Sequence, residues 1–316
     1  MQNKNSNSLF GIDINEFTQG VDFKVLATKI DFLYLRSSGS GSGRFRVDKK
    51  FLAFAKEARN YGIPVGAYHY AVPSYDLTDA DRQCDDFIGI LENGFGENDY
   101  GDLFPVVDVE TPFDPKIATK TLIEWVDRFR KRFEKKTRRR LMLYTGAFFI
   151  EIYDNFYLKG KGYPLKNMPL WIAMYTSIPG NPVYPKDQGD WKRWRIWQYS
   201  ENQKVEGVGN LVDANWGPNN IALLMQPSIV TGLRAVYDCE NIKVTWNRVP
   251  DVDLLGYNIF VNNYWVGTVN EDDTEFVIKK NNIPTNLKEP ITVSIEAFDY
   301  DGETSKKRAS VTVKRQ

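Results

Sequence analysis

Through the first two thirds of the chain, short apolar runs alternate with segments of helical periodicity, and this alternation restricts the fold more than any other feature. Leu9–Ile14, Phe32–Ser38, Pro64–Tyr70, Leu103–Glu110 and Leu141–Gly146 read as buried strands. Val21–Ile30, Lys49–Tyr61 and Asp79–Leu91 read as the helices between them. Gly62 closes the second of these, and Asp114-Pro115 opens a fourth with proline at the first helical position. In that fourth helix Ile117, Leu122, Val126, Phe129 and Phe133 share one face. Three further strands, Leu170–Tyr175, Trp194–Ser200 and Leu211–Asn215, follow with little helix between them. Strands and helices in this order predict an α/β fold: an irregular, TIM-like β/α barrel with a parallel sheet, poor in helices around its last strands.

Past Gln226-Pro-Ser228 the pattern changes to strands and turns alone: Ile242–Trp246, Gly256–Val261, Trp265–Val269, Thr274–Ile278, Ile291–Phe298 and Ala309–Val313. The expected organisation is a barrel domain over residues 8–225 and a small all-β sandwich over 227–316. Forty-one Lys and Arg balance forty-one Asp and Glu, which removes the basic footprint of a protein that binds nucleic acid or an anionic membrane. No run approaches the ~20 apolar residues of a membrane span, and Met1–Ser8 has no apolar core of a secretory signal. Cys84 and Cys239 stand far apart and read as unpaired core residues, with neither a disulfide framework nor a zinc site.

In a β/α barrel the catalytic groups come from the C-terminal ends of the strands. The polar residues expected there are Asp13, His69, Asp108, Glu110, Tyr144, Tyr175, Gln198 and Asp213. Asp108-Val109-Glu110 is the sharpest element. Residues two apart in a strand face the same side, roughly 6.5 Å apart, so both carboxyls look into the barrel mouth. Paired carboxyls crowded by other acids suit glycosidic cleavage: one stays protonated and gives its proton to the leaving oxygen, and the other stabilises positive charge on the sugar. So close a pair leaves little room for a water on the far face, which favours retention of configuration. His69, the lone histidine, reads as a structural hydrogen-bonding group, because no nucleophile motif supports a Ser-His-Asp triad and one nitrogen ligand is too few for a metal. No metal and no cofactor are expected. Gly39–Gly43 lacks the lysine of a phosphate loop and reads as a mobile loop beside the groove. Arg138–Arg140 reads as a solvated helix end.

Five separated motifs occur in the order and spacing of one enzyme family: Gly11–Gly20, Val65–Tyr70, Val107–Glu110, Leu170–Tyr175, and Trp197–Ser200 with Gly207–Asn215. On them the chain, over about residues 8–225, resembles glycoside hydrolase family 25, the Chalaropsis-type lysozymes or N-acetylmuramidases of bacteria and phages. The resemblance implies that Glu110 is the general acid. It makes Asp108 the partner that stabilises the transition state or orients the substrate's acetamido group, whose oxygen is then the nucleophile. Asp13 and Asp213 match the remaining acidic positions, and Tyr68, Tyr70, Trp171, Tyr175, Gln198 and Tyr199 match sugar-binding positions. Asn15 stands where the family usually has serine, and Met174 where a polar residue is frequent. The second domain resembles a fibronectin type III module through Ile242–Trp246, Gly256–Val261 and Ile295–Asp299, with Trp246 and Tyr257 as core aromatics.

The function expected is a peptidoglycan hydrolase that cuts the β-1,4 bond after N-acetylmuramic acid. Bacterial peptidoglycan is then the partner, and the second domain meets a wall polymer or a phage-particle component; nucleic acid and membrane are not partners. The expected setting is synthesis in the cytoplasm and action on the wall after release as a phage endolysin, or carriage on a phage-like particle. Two other readings stay open: a chitinase-like family 18 hydrolase, and a catalytically silent wall-binding or structural protein.

Overall fold

The apolar runs become strands because both of their faces are covered; in Phe32–Gly39 every residue but Arg36 is buried. The computed structural model describes residues 1–41, 44–238, 240–283 and 290–313. Within it the chain divides into two units, Met1–Leu224 and Met225–Gln316. Ser42 and Gly43 of the glycine-rich loop lie outside the described residues, as does Cys239. Cys84 is buried and unpaired.

The first unit runs β1 (Phe10–Ile14), α1 (Phe23–Leu26), β2 (Phe32–Gly39), β3 (Arg46–Val47), α2 (Phe51–Asn60), β4 (Val65–Ala71), α3 (Leu77–Phe95), β5 (Val106–Val109), α4 (Thr119–Thr137), β6 (Met142–Gly146), α5 (Ala147–Ile152), β7 (Leu170–Ala173), β8 (Ile196–Gln203) and β9 (Val212–Trp216). The sheet order is β1-β9-β8-β7-β6-β5-β4-β2-β3, and a further β1–β2 pairing closes eight of these strands into a barrel. Neighbouring strands are parallel from β1 through β8, except that β3 is an antiparallel addition to β2. The expectation of a wholly parallel sheet fails at β9, which runs antiparallel to both β8 and β1. The β8–β9 connection is too short for the crossover that a parallel neighbour requires.

Three local expectations are corrected. The helix expected over Val21–Ile30 shrinks to one turn, Phe23–Leu26, capped by the Asp22 carboxylate, which accepts from Val25 N–H at 3.1 Å. Helix α4 starts at Thr119, not at Pro115. Asp114 builds a turn instead, its carboxylate accepting from Lys116 N–H (2.8 Å) and its carbonyl from Ile117 N–H (2.9 Å). Arg139 is not solvated: it is 2% exposed and donates to the carbonyls of Gly101 and Leu103 at 2.9 Å each. A buried guanidinium thus satisfies two main-chain carbonyls.

His69 is fully buried against Phe87 and Phe129, with Nδ1 2.9 Å from Ser38 Oγ and Nε2 3.0 Å from Gln83 Oε1. The amide oxygen can only accept, so Nε2 carries the proton and Nδ1 accepts from the serine. Burial pushes its pKa down to about 4, which keeps it neutral and structural.

The second unit holds β10 (Arg234–Asp238), β11 (Asn241–Thr245), β12 (Leu254–Val261), β13 (Tyr264–Asn270), β14 (Glu275–Ile278), β15 (Ile291–Asp299) and β16 (Ala309–Val313). They form two sheets, β10-β11-β14 and β13-β12-β15-β16, both antiparallel. Ile242, Val244 and Ile278 from one sheet share a core with Tyr257, Ile259, Val293 and Ile295 from the other. Strand β10 has no counterpart among the expected strands. Trp246 and Tyr257 pack edge to face at 5.3 Å, and Tyr257 Oη accepts from Val249 N–H at 2.9 Å, so both are packing residues.

Candidate active site

One rim collects the C-terminal ends of the parallel strands and, because β9 is reversed, its beginning. A cavity of about 290 Å³ opens there, near the lower end of ligand-binding cavities. Its walls carry Asp13 from β1, Asp108 and Glu110 from the end of β5, and Asp213 from β9, together with Tyr68, Tyr70, Trp171, Tyr175 and Gln198. Tyr199 is absent from the lining. Side chains alternate along β8, so with Gln198 facing inward Tyr199 faces outward, stacked on Trp216 at 5.1 Å. Met174 is likewise buried in the core, its carbonyl accepting from Trp197 Nε1 at 2.9 Å. Asn15 does line the cavity, while its side-chain oxygen accepts from Phe17 N–H (2.9 Å) to shape the turn after β1.

The floor is a hydrogen-bonded frame. Trp171, 1% exposed, packs against Tyr34 and Tyr144 at 4.7 and 5.0 Å and donates from Nε1 to Asn215 Oδ1 at 2.9 Å. Asn215 in turn donates to Asp13 Oδ2 at 2.8 Å. Gln198 Nε2 donates to the same carboxylate oxygen at 3.0 Å, and Gln198 Oε1 accepts from Tyr144 and Tyr175 hydroxyls at 2.9 Å each. Gln198 therefore spends its oxygen and one N–H on the protein. It positions the groups that face a ligand.

All four expected carboxyls are pushed toward their protonated forms. Burial raises Asp13, against hydrogen bonds from Asn215, Gln198 and Asp213 that pull it down. Its cross-strand neighbour Asp213 is pushed up to about 9, first by burial and then by the Asp13 charge. Of this pair Asp213 holds the proton and donates it to Asp13. Asp108, 4% exposed, is raised well above the usual range by burial, then by Glu110 and Asp13, and its Oδ1 has no hydrogen-bond partner. Glu110 is the first residue past β5 and is solvent-accessible, yet the surrounding protein desolvates its carboxyl enough to raise its pKa, with Asp13 adding to the effect. The arrangement can hold a proton at an accessible carboxylic acid beside buried acceptors, which is what acid-assisted bond cleavage requires. Among the described residues no group of three or more His, Cys, Asp or Glu side chains has the geometry to hold a metal ion.

Arg36 and Glu201 also line the cavity, and neither is among the residues expected there from the sequence. Arg36 was legible by parity: it lies two residues after Tyr34 in β2, on the same inward side.

A model of glycosyl hydrolases family 25 matches residues 12–208. The spore cortex lytic enzyme SleM of Clostridium perfringens is 55% identical, with a TM-score of 0.97 over 99% of this chain and 100% of that one. The lysozyme of Streptomyces coelicolor is 25% identical, with a TM-score of 0.54 over 70% of this chain and 96% of its own. Lysozyme M1 of Streptomyces globisporus is 28% identical over 214 residues, 65% of this chain and 66% of that protein.

Proposed function

The chain belongs to glycosyl hydrolases family 25, and on that premise we propose that it cuts the β-1,4 bond between N-acetylmuramic acid and N-acetylglucosamine. It is a glycoside hydrolase of the lysozyme class, with peptidoglycan as its substrate. The observation that carries the finer reading is the accessible Glu110 carboxyl with a raised pKa beside the buried, unpartnered Asp108 Oδ1.

In this reading Glu110 protonates the glycosidic oxygen as the bond to the anomeric carbon breaks. The substrate's acetamido oxygen attacks that carbon, and Asp108 accepts a hydrogen bond from the acetamido N–H as the ring closes. Water then opens the ring, giving its proton back to Glu110, and configuration is retained. Asp13 and Asp213 hold the field around the pair, and Tyr68, Tyr70, Trp171 and Tyr175 shape the sugar-binding wall. Likeness to a spore cortex lytic enzyme along nearly the whole chain favours spore cortex as the natural target over a phage setting. The enzyme would be made in the cytoplasm and reach the wall after release, and carriage on a phage-like particle is the less favoured alternative. The second unit we read as a fibronectin type III-like module that docks on a wall polymer or a particle component, on the strength of its two sheets and its Trp246–Tyr257 core.

Digestion of purified peptidoglycan and of chitin by wild type and Glu110→Gln tests the reading. Wall solubilisation with retained anomeric configuration, lost at least ~100-fold in the variant as expected for removal of a general acid, supports it. Chitin release would favour a family 18 type of activity. Binding without cleavage by wild type would make the barrel a silent platform, and clean inversion would remove the acetamido step.

A further inference from the structure

Among the described residues the cavity lining holds five carboxylic side chains, Asp13, Asp108, Glu110, Glu201 and Asp213, and one cation, Arg36. The guanidinium is fixed from one side. Its Nε donates at 3.1 Å to Asp48 Oδ2, and that carboxylate is itself clamped by the backbone N–H groups of Glu16 (2.9 Å) and Lys50 (3.1 Å). The ring of Phe17 lies under it, 5.3 Å from the guanidinium carbon. One donor stays unmatched. Nη2 is buried and makes no hydrogen bond, and the carboxylate oxygen paired with it, Glu16 Oε1, is 3.7 Å away. Glu16 is already taken by Arg46 and by Lys49 N–H, and the Arg46 hydrogen bond foremost holds it down to about 2. A buried, charged donor without a hydrogen-bond partner is costly unless a ligand group completes it.

We propose that Arg36 is the receptor for a carboxylate carried by the sugar in this cavity, so that the enzyme prefers muramic acid whose lactyl carboxyl is free over muramic acid whose lactyl carboxyl is blocked. The inference rests on the peptidoglycan reading above and narrows its substrate. Among the described residues of the lining, Arg36 is the one side chain that offers an incoming anion a positive charge. A charge-assisted hydrogen bond from guanidinium to carboxylate discriminates by about 10-fold or more.

The test uses the full-length protein and soluble muramic acid–glucosamine oligosaccharides in two forms, lactyl groups free or converted to the carboxamide. Wild type is expected to favour the free acid by about 10-fold or more in kcat/KM, mostly through KM. Arg36→Gln is expected to lose that preference and Arg36→Lys to keep part of it. Equal cleavage of both forms by wild type, or an unchanged preference in Arg36→Gln, overturns the proposal. So does an Arg36→Gln effect that shifts the pH profile alike on both substrates, which would make Arg36 only a tuner of the acids. Should Arg36→Gln fail to fold, the two substrates compared on wild type and Arg36→Lys still decide. Cleavage of neither form by wild type would instead sink the peptidoglycan reading itself.

Discussion

Replacing Gln198 by leucine removes the amide that joins two tyrosines to Asp13 while nearly preserving volume. The Tyr144 hydroxyl, on a residue only 8% exposed, loses that acceptor. Tyr175 is more open and can turn to solvent. An unsatisfied buried hydroxyl costs ~1–3 kcal/mol, and the lost amide donor to a carboxylate adds a comparable amount, partly offset by the new apolar contact. A net loss of about 2–3 kcal/mol follows, or a drop of about 4–12 °C in Tm for a unit of this size. Urea unfolding followed by tryptophan fluorescence measures it. Gln198→Glu is the informative control, because it keeps acceptors for both hydroxyls but turns an oxygen toward Asp13. A buried carboxyl there has a folded-state pKa above its unfolded one. Its stability should match wild type near pH 4 and fall away as pH rises. If Gln198→Leu unfolds within ~0.5 kcal/mol of wild type, or Gln198→Glu shows the pH dependence of wild type, the frame around Asp13 does not act as a unit.

Asp213 makes a second prediction. Its folded-state pKa of about 9 exceeds the unfolded value near ~3.9, so the folded form holds an extra proton in between and stability falls as pH climbs through that window. Asp213→Asn cannot ionise and should be more stable than wild type at pH 8, with a flatter stability curve and reduced wall clearing; parallel curves would contradict the shared proton. For the second unit, a 227–316 fragment is expected to sediment with purified cell walls, and its staying in the supernatant would remove the wall-docking reading.

The barrel and its acid pair were legible because both rest on short-range rules. Strand periodicity places Asp108 and Glu110 on one side, and Pro105 and Pro112 confine the strand to the residues between them. Tyr199 was misjudged by the same rule left unapplied, since its neighbour Gln198 already occupies the inward side. Arg36 escaped because only residues at strand ends were taken as candidates, and it lies within β2. The reversal of β9 is written in the length of the chain before it rather than in its residues. Arg139 was hidden for another reason: a charge run says nothing of carbonyls some 36 residues upstream in sequence that need a donor.

The seam between β1 and β9 sets Asp13 opposite Asp213, residues from the two extremities of the first unit. Neither half of that pair exists as a pair until the last strand docks, so a partly synthesised or clipped chain carries an incomplete set of acids. Hydrolysis thus doubles as a reporter of barrel closure, and a chain cut before Val212 should fold in part yet leave bonds uncut.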